Sequence, residues 1–322
     1  MANLLIVLTL PEPVKTKYYN HLRAKFPDLT INMVDHHSKV GPYIDSADIL
    51  VSFGVQLADH VYKEGRNLKW VQALGTGVDG IIGEPSLQDH VLVTNIHGRI
   101  MADSMSEAAF LAMLALSRNF PRALRAQARH AWERAPSRLL NGKTVGILGV
   151  GMIAADLAPR CKAFGMRVIG ITATKRDLPG FDRMVGREEL PQTLPDVDYL
   201  ILLIPYSAET RGLVGEKLIS AMKPTSYLVN LARGGVVDED ALVEALRQNK
   251  IAGAALDVFA TEPLPADHPF WSMENVIVTP HLGGFHDEYA DRALPIVEDN
   301  IRKFLAGDTE NMSNVVKRPT AG

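Results

Sequence analysis

Residues 145–154, VGILGVGMIA, carry the clearest chemistry in the chain. An apolar run leads straight into glycines where a helix must begin, and that combination suits a pyrophosphate. Gly149 permits the tight turn out of a strand, Gly151 lets the backbone approach phosphate oxygens with no Cβ between, and Ala154 allows close helix–strand packing. Met152 and Ile153 open the helix, whose free N–H groups and positive dipole end favour an anion. A second apolar run then ends as RVIGITATKRD. In an NAD-preferring site an acid about 20 positions beyond the glycines takes the ribose hydroxyls. Thr172 stands there instead, followed by Thr174, Lys175 and Arg176. A carboxylate repels a 2′-phosphate, whereas hydroxyls and two cations attract one, so the loop predicts NADP, with NAD still accommodated because Asp177 is near. The competing reading is a solvated basic loop with no cofactor role.

The elements that must position these groups follow from the apolar pattern. A strand at 143–148, a helix at 152–164 and a strand at 167–172 make one βαβ unit. From 143 onward the runs VGILG, RVIGIT, YLILLIP, SYLVNLA, GAALDVF and VIVTP predict six strands. Between 4 and 96 the runs LLIVLTL, INMVD, DILVSF, KWVQAL and VLVTNI alternate with turns and with helical segments at 14–25 and 56–63. This is a doubly wound α/β pattern, twice over. An Ala/Leu/Met-rich helix at 102–119 connects the halves, and an amphipathic segment at 287–305 crosses back to the first. Pro159, inside the helix after the glycine turn, removes a backbone donor and should kink or shorten it.

Composition excludes several classes of function. The 322 residues suffice for two domains, and 47% are hydrophobic. Thirty-four basic against 37 acidic residues give a formal charge of −3, with no basic block to track a phosphate backbone, so nucleic acid is not expected as a partner. No apolar run reaches the ~18 residues of a membrane span, and the opening MANLLIVLTLPEP reads as a first strand, not a signal. Cys161 is the single cysteine, which rules out an intrachain disulfide and a cysteine-based metal cluster. It reads as a small buried hydrophobe, and the cytoplasm as the compartment.

Three segments in fixed order, LVNLARGGVVDEDAL, AALDVFATEPLP and NVIVTPHLGG, resemble the D-isomer-specific 2-hydroxyacid dehydrogenase family. ALGTGVDGI, SMSEAAFLAMLALSRN and LIPYSAETRGLV join them, and the likeness runs from about 69 to 284; the first sixty residues match only in pattern. The resemblance implies an α/β protein of two doubly wound parallel-sheet domains with a cleft between them. A Rossmann dinucleotide-binding domain would span 101–285, and a smaller flavodoxin-like substrate domain 1–100, completed by 286–322. It implies reduction of a small 2-oxo acid such as glyoxylate or hydroxypyruvate to the D-2-hydroxy acid by NAD(P)H, without a metal, in a homodimer formed through the cofactor domain's helical arm. It also implies Arg233, Glu262 and His281 as the catalytic set.

The chemistry suits those residue types. Arginine's permanently charged fork can hold carboxylate and carbonyl oxygens together. An imidazole, with an ordinary pKa of ~6.5, can donate the proton. A carboxylate beside it favours the imidazolium and fixes which ring nitrogen faces substrate. Each has a plainer reading when taken alone: a solvated turn arginine, loop polarity before Pro263, a hydrogen-bonded strand-end histidine. All three fall at C-terminal ends of predicted strands, where ligands bind in open α/β sheets.

The resemblance adds Met105, Ile204, Pro205, Thr210, Leu231, Ala232 and Gly283 as cofactor contacts. It places Asp257 near the nicotinamide carboxamide, with a strand-end cap as the equal alternative. Backbone N–H groups of Gly75, Thr76 and Gly77 would meet the substrate carboxylate, and Phe53, Gly54 and Leu74 would shape the pocket for its side chain. His286 reads as an exposed position at a helix start. The rival from another class is a dinucleotide-sensing, corepressor-like interaction protein, which keeps the same architecture and would show negligible turnover.

Overall fold

The computed structural model describes residues 2–54 and 57–316. Gln56 of the predicted 56–63 helix, and the last six residues of the stretch 286–322, lie outside them. The chain forms two compact units, Met1–Ile100 with Asp287–Gly322, and Met101–His286.

In the first unit the parallel strands β1 (Asn3–Val7), β2 (Thr30–Val34), β3 (Ile49–Ser52), β4 (Trp70–Ala73) and β5 (Leu92–Thr94) stand in the order β2-β1-β3-β4-β5. That is the flavodoxin-like order, reversing direction between β1 and β3. β3 and β4 are buried along their whole length, as continuous apolar runs in a sheet covered on both faces must be. The polar residues inside are paired: Trp70 Nε1 donates to Thr94 Oγ1 at 2.9 Å, and Thr94 Oγ1 to Gln72 Oε1 at 2.9 Å. Asn300 Nδ2 reaches the same Gln72 oxygen at 3.0 Å, which fixes the closing helix Tyr289–Leu305 on this sheet.

The second unit holds β6 (Thr144–Leu148), β7 (Arg167–Thr172), β8 (Arg183–Gly186), β9 (Tyr199–Leu202), β10 (Tyr227–Asn230), β11 (Gly253–Leu256) and β12 (Val276–Val278). Their order is β12-β11-β10-β9-β6-β7-β8, all parallel, a Rossmann arrangement extended by one strand. The sequence reading predicts six strands here and the structure has seven. The missed one, β8, is a four-residue edge strand with two of its residues buried, too short and too mixed to register as an apolar run.

Met152–Ala163 matches the expected 152–164 helix to within one residue and runs four residues past Pro159, so the proline does not end it. Arg99–Ser117, 19 residues long, is apolar enough by length and composition to cross a membrane, contrary to the sequence reading. Its Met105, Ala109, Ala112, Met113 and Leu116 pack with Val145, Ile147 and Leu157 of the Rossmann core, so it is a core helix of this unit. Cys161 is fully buried, and burial pushes its thiol up to about 12.

Candidate active site

The glycine turn is built as a cradle. Gly149 has φ +101°, and a Cβ there would lie 2.6 Å from the Leu203 carbonyl, so the turn crosses directly over the end of β9. Gly151 sits extended at the start of helix Met152–Ala163 with no side-chain cap, and beyond its chain neighbours no atom lies within 4 Å of where its Cβ would be. Uncapped N–H groups facing open space are what a pyrophosphate needs. Met152 is exposed and Ile153 half-buried at the helix start. The residues present fit a dinucleotide.

At the end of β7 the predicted basic loop is exposed, and its two cations are held differently. Arg176 Nη2 donates to the Val150 carbonyl of the glycine turn at 2.8 Å. Lys175 is ion-paired to Glu189, which follows β8. Thr172 Oγ1 and the Thr174 backbone are 3.4 Å apart.

The other strand ends gather the catalytic candidates. Buried Asn230 closes the turn after β10: its Oδ1 accepts from Ala232 N at 3.1 Å and its Nδ2 donates to the Arg233 carbonyl at 3.1 Å. Arg233 follows, its Nη1 donating to Ala232 O at 2.8 Å. A Cβ on the next residue, Gly234, would lie 1.8 Å from the Phe259 carbonyl carbon, so the loop after β11 rests on this backbone. Glu262 closes that loop by accepting from Phe259 N at 3.0 Å through Oε1, and its Oε2 is 2.8 Å from His281 Nδ1. Glu239 supports the same loop, accepting from Ala260 N at 2.7 Å. Burial raises the Glu262 pKa, but the His281 hydrogen bond, the Phe259 N–H and the charges of His281 and Arg233 outweigh it and hold the carboxyl below its usual range.

His281 itself has φ +54°, the left-handed region that side chains other than glycine's seldom enter. Asp257 maintains it. The Asp257 carbonyl accepts from His281 N at 2.8 Å, and its carboxylate accepts from Thr279 Oγ1 at 2.6 Å, Leu282 N at 2.8 Å and Gly283 N at 2.8 Å. These contacts show the strand-end cap, one of the two roles expected of Asp257, and they shape the histidine turn. Met105 stands against the same corner: a Cβ on Gly283 would lie 3.1 Å from its sulfur.

Among the remaining predicted contacts, Ile204, Leu231 and Ala232 are buried and Pro205 is exposed at its strand end. The Thr210 hydroxyl is spent on its own turn, donating to Pro205 O at 2.8 Å. His286, read as exposed, is half-buried. Asn230, Glu189 and Glu239 escaped the sequence reading. Asn230 carried a usable signal, a polar residue ending an otherwise apolar strand; the two glutamates did not.

In the first unit, Leu74 N donates to Ser52 O at 2.8 Å, bringing the loops after β3 and β4 together. Half-buried Phe53 lies beside Gly75, where a Cβ would be 3.5 Å from its ring, and a Cβ on Gly54 would be 3.2 Å from the Gly77 carbonyl. Thr76 Oγ1 donates to Ile96 O at 2.8 Å, so its hydroxyl is structural. Leu74 is fully buried, and its carbonyl accepts from the Tyr289 hydroxyl.

A Rossmann sheet with an open glycine cradle, and a histidine–carboxylate pair beside an arginine at neighbouring strand ends, define a dinucleotide-dependent oxidoreductase. Residues 110–283 match the family model "D-isomer specific 2-hydroxyacid dehydrogenase, NAD binding domain". The chain is 36% identical to D-3-phosphoglycerate dehydrogenase of Methanocaldococcus jannaschii over 86% of its own length and 53% of that protein's, so it spans about half of that relative. It is 34% identical to glyoxylate reductase of Korarchaeum cryptofilum over 82% of each. The crystal structure of the NADPH-dependent glyoxylate/hydroxypyruvate reductase of Sinorhizobium meliloti, in complex with NADP and sulfate, superposes with TM-score 0.83 at 27% identity over 99% of both chains. The chain belongs to the D-isomer-specific 2-hydroxyacid dehydrogenase family and is an NAD(P)-dependent D-2-hydroxyacid dehydrogenase.

Proposed function

We propose that this dehydrogenase reduces small 2-oxo acids, glyoxylate and hydroxypyruvate first, to D-2-hydroxy acids, with NADPH preferred to NADH. The observation that carries the mechanism is the 2.8 Å contact between His281 Nδ1 and Glu262 beside Arg233. The glycine cradle at Gly149 and Gly151 would hold the reduced dinucleotide, which would supply a hydride for the substrate's carbonyl carbon. Arg233 takes carboxylate and carbonyl oxygens in its fork, which orients the acid and stabilises charge developing on the carbonyl oxygen. With Nδ1–H donated to Glu262, the other ring nitrogen, Nε2, faces substrate and delivers its proton to that oxygen. Glu262, held below its usual carboxylate range, accepts at Nδ1 and so fixes the ring's orientation for the transfer.

Backbone N–H groups of residues 75–77 are assigned the substrate carboxylate, and Phe53 its side chain. The substrate preference rests on what the Korarchaeum and Sinorhizobium relatives are named for, and the cofactor preference on Lys175 and Arg176. A homodimer in the cytoplasm completes the reading. Its support is the stretch 111–139, which exposes Leu111, Leu114, Phe120, Leu124, Trp132 and Leu139, with Trp132 93% accessible. Apolar exposure of this extent on one segment supports an association surface there. Initial rates with NADPH and NADH against glyoxylate, hydroxypyruvate, pyruvate and phenylpyruvate test the proposal. Fastest turnover is expected with NADPH and one of the first two acids. Negligible turnover with all four would favour the dinucleotide-sensing interaction protein instead.

A further inference from the structure

We infer that Glu189 determines cofactor specificity: it is the counter-ion that holds Lys175 and competes with a 2′-phosphate for it, and the acid that serves the ribose hydroxyls when no phosphate is present. The inference rests on the NADP-preferring reading above and deepens it.

The placement comes from the sheet. β7 and β8 are parallel neighbours with Thr172 opposite Gly186, so the residues just past Gly186 lie at the same C-terminal edge as the basic loop. Position 172, where an acid would bind ribose hydroxyls, carries a threonine, and Glu189 brings a carboxylate to this edge from the next strand. Its Oε1 is fixed by the Gly186 N–H at 3.0 Å, and the same oxygen takes the Lys175 ammonium. The Lys175 hydrogen bond and the Gly186 N–H hold the Glu189 carboxyl below its usual range, so it is ionised throughout the working pH range.

The two cations of the loop therefore differ in what they can offer. Arg176 is anchored to the glycine turn through the Val150 carbonyl, with further N–H donors in its fork to give. Lys175 is committed to Glu189, but both side chains keep solvent contact, 53% and 37% exposed, and a pair in that state is weak. A phosphate dianion carries more charge than the carboxylate and can draw the ammonium away. With a 2′-hydroxyl instead, Lys175 stays paired and the Glu189 carboxylate is an acceptor. One side chain thus lowers the affinity for NADP and supports NAD.

Dissociation constants for NADP+ and NAD+, measured by calorimetry on the folded protein without substrate, test this in wild type, Glu189→Gln, Lys175→Ala and the double variant. Glutamine keeps an acceptor for Gly186 N–H but loses the charge; melting curves check that each variant folds. Glu189→Gln should tighten NADP+ by about two- to fivefold, the scale of a half-exposed ion pair, and weaken NAD+. Lys175→Ala should weaken NADP+ and cancel the gain in the double variant. If Lys175→Ala weakens NADP+ while Glu189→Gln leaves the NADP+/NAD+ ratio unchanged, the role of Glu189 is overturned and the basic-loop reading stands. If neither Lys175→Ala nor Arg176→Ala changes the ratio, the basic-loop reading itself fails and takes this inference with it.

Discussion

The two ends of the Rossmann sheet edge are built on opposite principles. Around His281 the geometry is over-determined: a buried aspartate takes three donors to shape one turn, a buried asparagine closes another, and Glu262 is bonded at both oxygens. Around Lys175 the contacts are made by half-exposed side chains that water can replace. The difference fits the two tasks. Proton transfer demands placement to a fraction of an ångström, and a partly exposed pair is held that well only when several mutually supporting hydrogen bonds, among them those of buried Asp257 and Asn230, fix the turns that carry it. Choosing between a phosphate and a hydroxyl requires a modest bias in free energy, which a surface charge pair supplies.

The largest effect should come from the rigid end. His281→Gln removes the proton donor and should lower kcat by roughly 10²–10⁴-fold with little change in NADP+ affinity; equal losses in both would show that the ring serves cofactor binding instead. Gly234→Ala comes next. Its methyl would meet the Phe259 backbone at 1.8 Å, so the loop carrying Glu262 must move, and kcat/KM should fall about 10²-fold together with a drop in Tm. An unchanged kcat/KM would mean the loop's position is not critical.

An acid-side measurement sharpens the comparison further. The folded pKa of Glu262 lies below its usual value of 4.5, so its carboxylate contributes full stability above that value and loses it as pH falls through the depressed one. Wild type should therefore lose Tm more steeply than Glu262→Gln below about pH 4.5, and parallel curves would contradict the coupling. The smallest effect belongs to the adjustable end. Lys175→Ala with Arg176→Ala should shift the NADPH/NADH ratio of kcat/KM by about tenfold while leaving kcat with saturating NADPH near wild type; an unshifted ratio would mean the loop does not contact the 2′-phosphate.

What could be read in advance follows the same division. The β6 glycine turn was legible because a continuous buried strand must be apolar, and because a turn where any Cβ would lie 2.6 Å from a neighbouring carbonyl admits only glycine. The pairing of Lys175 was hidden because Glu189 follows an edge strand whose four residues carry too little apolar signal. The left-handed conformation of His281 was hidden for a different reason. The aspartate that imposes it lies just past the end of β11, and hydrogen bonds between distant loops leave no periodic trace. The motifs named Arg233, Glu262 and His281, while Asn230 and Glu239, which fix the turn and the loop carrying them, emerged only with the fold. The apolar character of Arg99–Ser117 was underestimated because Asp103 and Glu107 interrupt it; Asp103 is half-buried and Glu107 exposed, so neither charge enters the core.

The most direct test is a crystal structure of the protein with NADP+ and an unreactive 2-oxo acid analogue. The account predicts His281 Nε2 at about 2.6–3.2 Å from the analogue's carbonyl oxygen, Arg233 on its carboxylate, and the nicotinamide stacked over the carbon between them. An analogue bound away from all three side chains, with a turnover-competent crystal, would contradict it.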